Sequence, residues 1–176
     1  MEIERKWMVN GWPEEVLEEL SPALLYTEVQ EQGYLHASVP IVRIRREERV
    51  ESPACCALPS VQYVLCFKSA GLLAREEIEL EIPEDKYLEL KDMIGKPLVE
   101  KIRRAYALPD GKILEVNLVD RQLPSRFMYA EVEYDSIESA NSWDPVSVGL
   151  GDYLKNDVTG LPGQSMSAYW LQTRVK

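Results

Sequence analysis

The chain has 176 residues, 45% of them hydrophobic, which is enough for one domain with a sizeable core. Its formal net charge of -10 sets up an average field that repels phosphates, and this argues against general binding to nucleic acid or to anionic membranes. No apolar run reaches the length of a membrane span, the N-terminus lacks a basic region followed by an apolar stretch, and Cys55, Cys56 and Cys66 give neither a disulfide framework nor zinc spacing, so a reduced, cytoplasmic protein is expected.

The first extended run covers residues 2 to 9, where Glu2, Glu4 and Lys6 alternate with Ile3 and Trp7, so one face of a strand is ionised and the other apolar. Residues 13 to 20 read as a short helix with Pro13 in its first turn. Strands follow near 24 to 35, 40 to 50, 61 to 68 and 75 to 82, with turn residues between Ser52 and Ser60 and at Ser69-Ala70-Gly71. A helix over 84 to 94 is stopped by Gly95 and Pro97, and Tyr87, Leu88, Leu90 and Ile94 form its apolar stripe. Strands at 100 to 108 and 112 to 119 make a hairpin through Pro109-Asp110-Gly111, and the last strand covers 126 to 134. Beyond Asp135 the pattern weakens. Short helices are expected at 136 to 142 and 152 to 156, and Thr159-Gly160 and Pro162-Gly163 mark turns in the tail.

Strand after strand repeats the alternation of the first, with both signs of charge. Arg43 and Arg45 flank Ile44; Glu77, Glu79 and Glu81 enclose Ile78 and Leu80; Glu131 and Glu133 flank Val132. Eight strands with few helices fit a sandwich or a closed barrel, and closure leaves no exposed edge. The pattern favours a mainly β (α+β) fold: a closed, eight-stranded antiparallel barrel whose apolar faces pack outward on flanking helices while charged faces line a wet interior. The presumed inner faces carry Glu2, Glu4, Glu77, Glu79, Glu81, Glu115, Glu131 and Glu133, together with Lys6, Arg43, Arg45, Lys68, Arg75, Lys101 and Arg103. Clustered carboxylates suit a hard divalent cation, and guanidinium forks with lysines suit phosphoryl oxygens, so the mixture suits a metal-bound polyphosphate.

Glu2-Ile3-Glu4-Arg5-Lys6 resembles the E-x-E-x-K signature of the CYTH, or triphosphate tunnel metalloenzyme, family. Further blocks follow in the family's order: Gln32-Gly33-Tyr34-Leu35, Arg43-Ile44-Arg45, Lys68, Arg75 with Glu77, Glu79 and Glu81, Glu100-Lys101-Ile102-Arg103, Glu115, and Glu131-Val132-Glu133. Any one block is common by chance, whereas the ordered set is specific. The resemblance covers about residues 1 to 160 of what is expected to be a single domain over 1 to 176, with a less well matched tail. It implies an eight-stranded tunnel that binds a triphosphate and one or two divalent cations, Mg2+ or Mn2+. It places Glu2, Glu4 and Glu133 as first-metal ligands, with Glu131 beside them. Lys6, Arg43, Arg45, Lys68, Arg75, Lys101 and Arg103 become the phosphate cradle. Glu77, Glu79 and Glu115 become the acids of a second metal or its attacking water, and Lys6, Lys101 and Glu79 the side chains closest to catalysis, with no general base assigned.

Two departures stand out. Glu115-Val116-Asn117 replaces the family's E-x-D, and the residues after Asp157-Val158-Thr159 lack the usual basic contact, for which Arg126 or Lys155 is a candidate substitute. The expected activity is metal-dependent hydrolysis of inorganic triphosphate. Thiamine- or nucleoside-triphosphate hydrolysis, adenylyl cyclase activity and a noncatalytic polyphosphate-binding module are the alternatives. The expected partner is a triphosphate-containing small molecule, and any assembly is expected to be a homodimer through an outer apolar face. His36, the one histidine, reads as an incidental surface residue; Cys66 reads as a structural thiol; the mixed charges from Arg46 to Glu51 read as a solvated hairpin end; and Trp7, Trp12, Trp143 and Trp170 read as packing outside the barrel.

Overall fold

The computed structural model describes residues 1–17, 22–52, 60–71 and 73–175. The expected turn between Ser52 and Ser60, Cys55 and Cys56 lie largely or wholly outside the described residues, as does the end of the helix expected at 13 to 20, of which α1 (Pro13–Val16) is seen.

Nine strands form one antiparallel sheet: β1 (Glu2–Val9), β2 (Ala23–His36), β3 (Ile41–Glu51), β4 (Ser60–Lys68), β5 (Ala74–Arg75), β6 (Glu77–Glu81), β7 (Val99–Ala107), β8 (Ile113–Val119) and β9 (Phe127–Glu133). The sheet order is β5-β1-β9-β8-β7-β2-β3-β4-β6. Its two outermost strands are consecutive in the chain and separated only by Glu76, so the sheet curls until one short segment bridges both edges. The strand expected at 75 to 82 is therefore divided. Ser69 N–H donates to the Glu76 carbonyl and Glu76 N–H to Ser69 Oγ, both at 2.9 Å, and this double bond to the preceding turn kinks the chain between its two pairings. Closure is narrow, because β5 meets β1 only at Glu2 and Ile3. Farther along β1 the same edge is covered by residues 156–158, with Met8 N–H on the Asn156 carbonyl and Val158 N–H on the Lys6 carbonyl. The helix expected at 152 to 156 is absent: residues 151–154 form turns and the chain is extended where it meets β1.

The apolar faces pack outward. Ile3, Trp7 and Val9 of β1 join Leu114, Val116, Ala130 and Val132 in a cluster completed by Tyr134, Ala140, Leu150, Tyr153 and Leu154 from the segment after β9, which includes α3 (Ile137–Ser142). On another side, Ile44 sits wholly buried with Tyr87 of α2 (Glu84–Ile94) and Leu98. Gly33 lets Leu98 and Ile94 pack close, since a Cβ at that position would stand 2.4 Å from Leu98 Cδ2 and displace that side chain. Gly95, at φ 60, ends α2 in the left-handed conformation that glycine tolerates. Tyr87, Leu90 and Ile94 face the barrel as expected, whereas Leu88 is half exposed and is not part of the stripe.

The tail contains an element that the turn residues obscured. α4 (Met166–Arg174) starts at Ser165, whose side chain accepts from Ala168 N–H, and lays Trp170 against Tyr34 with ring centroids 5.6 Å apart. Arg174 and Tyr169 close on the buried Asp120 carboxylate, at 2.7 Å and 2.5 Å respectively. Trp7, Trp12 and Trp170 are buried outside the charged face, with Trp143 packed on Trp7 at 5.8 Å. Among the described residues no helix is long and apolar enough to cross a membrane.

Candidate active site

Alternation along each strand points one set of side chains into the barrel, where a cavity of about 690 Å3 opens. Fourteen of the fifteen ionised groups expected inside line it: Glu2, Glu4 and Lys6 from β1, Arg43 and Arg45 from β3, Lys68 from β4, Arg75 from β5, Glu77 and Glu79 from β6, Lys101 and Arg103 from β7, Glu115 from β8, and Glu131 and Glu133 from β9. Glu81 is the exception, lying exposed at the end of β6 and away from the cavity.

Most of these groups pair across the cavity. Glu2 holds Lys68 at 3.2 Å and Arg75 at 2.7 Å, and Arg75 also reaches Glu4 at 2.8 Å. Glu77 holds Lys68 at 2.7 Å; Glu79 holds Arg43 at 3.1 Å and Arg45 at 3.3 Å; Glu115 holds Arg103 at 2.9 Å; Glu131 faces Lys6 at 3.5 Å. Glu133 makes no ion pair among the described residues.

The register brings like charges together. Glu4 stands directly opposite Glu133, and Glu115 directly opposite Glu131, on hydrogen-bonded neighbouring strands. Such pairs are destabilising unless a cation lies between or beside them. Burial, followed by the nearby charge of Glu131, raises the Glu4 carboxyl to about 7 against a usual value of 4.5. Burial and the charges of Glu115 and Glu2 raise Glu133 as well. Glu77 goes the other way: burial pushes it up, but its hydrogen bond with Glu2 and the Lys68 ammonium outweigh that and hold it at about 2. Burial and the neighbouring Arg103 and Arg45 guanidiniums depress Lys101 far below an ordinary lysine. Among the described residues, Cys66, Glu77 and Glu79 bring ligand atoms within 4.8 Å of one another, and Glu4, Glu115, Glu131 and Glu133 add a carboxylate-rich surround of the chemistry a hard divalent cation takes.

Uncharged residues complete the cavity, of which Gln32 and Tyr34 belong to the Gln32-Gly33-Tyr34-Leu35 block while Gln30 and Tyr129 were not singled out by the sequence. Tyr34 and Tyr129 line it, and Gln30 and Gln32 lie buried beneath on β2, each with a side-chain oxygen that has no partner. The signal was present in Glu28, Gln30, Gln32 and Tyr34, which alternate with Val29, Glu31 and Gly33, but β2 carries no cation and reads as an ordinary strand. The segment 158–167 forms one wall of the cavity without any charged side chain. Arg126 and Lys155 are exposed and do not line the cavity, so neither replaces the missing basic contact. Asn117 is fully buried and accepts from Arg103 Nε at 3.3 Å, while its side-chain nitrogen has no partner. Cys66 is fully buried and donates to Glu77 at 3.0 Å, and burial lifts its thiol to about 12. His36 is exposed beside the Pro40 carbonyl. The charges after Arg45 are satisfied locally, Arg46 by Glu48 and Arg49 by Glu28.

No protein-family model matches the chain. An inorganic triphosphatase from Nitrosomonas europaea is 28% identical over 144 residues, which span 82% of this chain and 83% of that protein. The crystal structure of the inorganic triphosphatase NE1496 superposes with a TM-score of 0.56 at 24% identity, covering 96% of this chain and 93% of that one. HpAC1 from Hippeastrum, whose structure is described by a dominant triphosphatase activity, gives 0.58 at 20% identity over 87% and 88%. PH1819 from Pyrococcus horikoshii OT3 gives 0.56 at 23% over 88% and 89%. With the ordered charged blocks meeting inside one barrel, the chain resembles the short prokaryotic inorganic triphosphatases of the triphosphate tunnel family.

Proposed function

We propose that the protein hydrolyses inorganic triphosphate within this cavity, with Mg2+ or Mn2+ as cofactor. The observation that carries the reading is the convergence of seven basic and seven acidic side chains, drawn from eight of the nine strands, on one cavity. The named activity of the 28% identical relative supports the same chemistry.

In this reading Glu2, Glu4, Glu131 and Glu133 hold one cation, and Glu77 with Glu115 a second. A divalent cation there would neutralise phosphoryl oxygens and acidify water. The remaining work belongs to the chain. Arg43, Arg45, Arg75 and Arg103 grip phosphoryl oxygens through their planar forks, and Lys68 adds point charge. Lys6 and Lys101 stand where charge develops on the phosphate chain as its bridging bond breaks. Glu79, with 43% of its side chain exposed, is placed to orient the attacking water. Uncharged Thr159, Gln164 and Ser167 close one wall without competing for phosphate.

One observation favours a second reading. Tyr34, Val39, Ile41, Leu161 and Met166 give part of the cavity an apolar wall, which suits a triphosphate carrying an organic group such as a nucleoside or thiamine. Phosphate release from tripolyphosphate, ATP and thiamine triphosphate, each with Mg2+ and with Mn2+, separates the two. Fastest turnover of tripolyphosphate is expected. A preference for an organic triphosphate selects the second reading, cyclic AMP formed from ATP selects a cyclase, and tight binding without phosphate release under either metal leaves a binding module.

A further inference from the structure

Tyr129 lies on β9 two residues before Glu131, on the same face of the strand, and its ring enters the cavity. It touches two of the three lysines that line the cavity, Lys6 and Lys101. The Lys6 ammonium stands 3.7 Å from the ring centroid, and the Lys101 side-chain nitrogen donates to the phenol oxygen at 3.2 Å. The ring is 1% exposed and stacked on Phe127, with centroids 5.9 Å apart and planes inclined by 27°, so it has little room to turn away.

Other restraints on these two side-chain nitrogens are few. Lys101 forms no ion pair among the described residues, and Tyr129 is the partner of the hydrogen bond it makes. Lys6 reaches Glu131 at 3.5 Å, a long contact. A lysine is a compact charge on a flexible stem, and fixing the stem costs rotamer entropy. A site that stabilises charge as it develops gains most from donors already held in place. One rigid aromatic that offers its face to the first lysine and its hydroxyl to the second provides that.

We infer that Tyr129 is a positioning residue that fixes the spacing of the Lys6 and Lys101 side-chain nitrogens, so that a polyphosphate meets two nitrogen donors already in register. The inference rests on the reading of this cavity as a polyphosphate site. Tyr129→Phe removes the hydroxyl alone, and Tyr129→Leu removes the ring as well. From the worth of a hydrogen bond and of a desolvated cation–π contact, kcat/KM for tripolyphosphate should fall roughly tenfold in the first and roughly a hundredfold in the second.

Double-mutant cycles distinguish positioning from packing. In a Lys101→Met background, Tyr129→Phe should have almost no further effect on kcat/KM, while in a Lys6→Met background its full loss should persist. The added loss from Phe to Leu should vanish in Lys6→Met. Additive losses in both backgrounds would show a merely structural ring and overturn the inference. Two further readouts do not depend on turnover: calorimetric affinity for tripolyphosphate without metal, carried through the same cycles, and the Hε resonances of 13C-labelled lysines. The Lys6 signal should be shifted by the ring in wild type and in Tyr129→Phe, and released in Tyr129→Leu. An unmoved Lys6 signal in the Leu variant would overturn the inference. If wild-type protein releases no phosphate, the hydrolase reading fails while the affinity cycles and the lysine spectra still decide the role of Tyr129.

Discussion

Replacing Arg174 by Met removes the last turn's hold on the barrel and tests how α4 is fastened. Asp120 is 3% exposed and sits at φ 47 just after β8. Its carboxylate takes Arg174 at 2.7 Å, the Tyr169 hydroxyl at 2.5 Å and the Glu100 N–H at 3.3 Å. Removing one member of a buried ion pair typically costs about 3–5 kcal/mol, since a desolvated charge stays behind. Two other donors remain on Asp120, so the lower end, about 3 kcal/mol, is expected. For a domain of this size each kcal/mol moves the melting temperature by about 2–4 °C, which gives a drop of about 6–12 °C.

The measurement is a thermal melt followed by near-ultraviolet circular dichroism, which reports the Trp170–Tyr34 contact. The companion Asp120→Asn should recover most of the loss when combined with Arg174→Met, because it removes the stranded charge while leaving the shape. A double variant no more stable than the single would refute this account, as would a shift below 1 °C in Arg174→Met.

Two further expectations concern the acids. The Glu4 carboxyl, raised to about 7 from 4.5, contributes stability that is present below pH 4.5 and lost as pH rises through 7 in metal-free protein. Urea midpoints should therefore fall less over that window in Glu4→Gln than in wild type, while the substitution nearly abolishes turnover; equal pH slopes, or a wild-type rate, would count against the assignment. Glu77, held at about 2, has the opposite sign, so its contribution is present above pH 4.5 and disappears as pH falls toward 2. Asn117→Asp places a carboxylate next to Arg103; higher metal affinity or rate by titration is expected, and no change would count against a second metal site weakened by Asn117.

The strands and the ionised bore were legible because both rest on a period of two, and that period survives in the sequence whatever the sheet order. Eight extended runs match the strands to within about two residues at either end, apart from the break at Glu76. The break itself is set by Ser69 reaching a residue seven positions on, which local pattern does not encode. Leu88 fell off its expected stripe for a similar reason: periodicity gives a helical face, but only the position of the barrel decides how wide that face is. α4 was missed because Ser167, Gln172 and Thr173 interrupt its apolar pattern, and its attachment depends on Asp120, some 50 residues earlier. Gln30 was missed, and Gln32 was legible only through its family block, because uncharged amides on a long strand look like solvent-facing residues until β3 and β7 enclose them.

The balance of charge in the cavity leads to a last expectation. Seven basic and seven acidic groups line it, so with no ligand they neutralise one another, and most of the basic groups are already held by a carboxylate. Tripolyphosphate alone must take arginines and lysines from glutamates and would leave Glu2, Glu4, Glu77 and Glu131 unpaired. A divalent cation alone must take glutamates from Arg75, Lys68 and Lys6 and would leave those cations facing one another. Arriving together, each ligand takes the half that the other releases. Binding should then be strongly cooperative, and linkage requires that metal improve tripolyphosphate affinity by the same factor by which tripolyphosphate improves metal affinity. Coupling of typical size is roughly 5–150-fold. Calorimetric titration of each ligand in the presence and absence of the other, with a non-hydrolysable tripolyphosphate analogue, measures both factors. Independent binding would mean that the acids and bases do not exchange partners, and the charged bore would then be an internal scaffold whose ion pairs persist when substrate arrives.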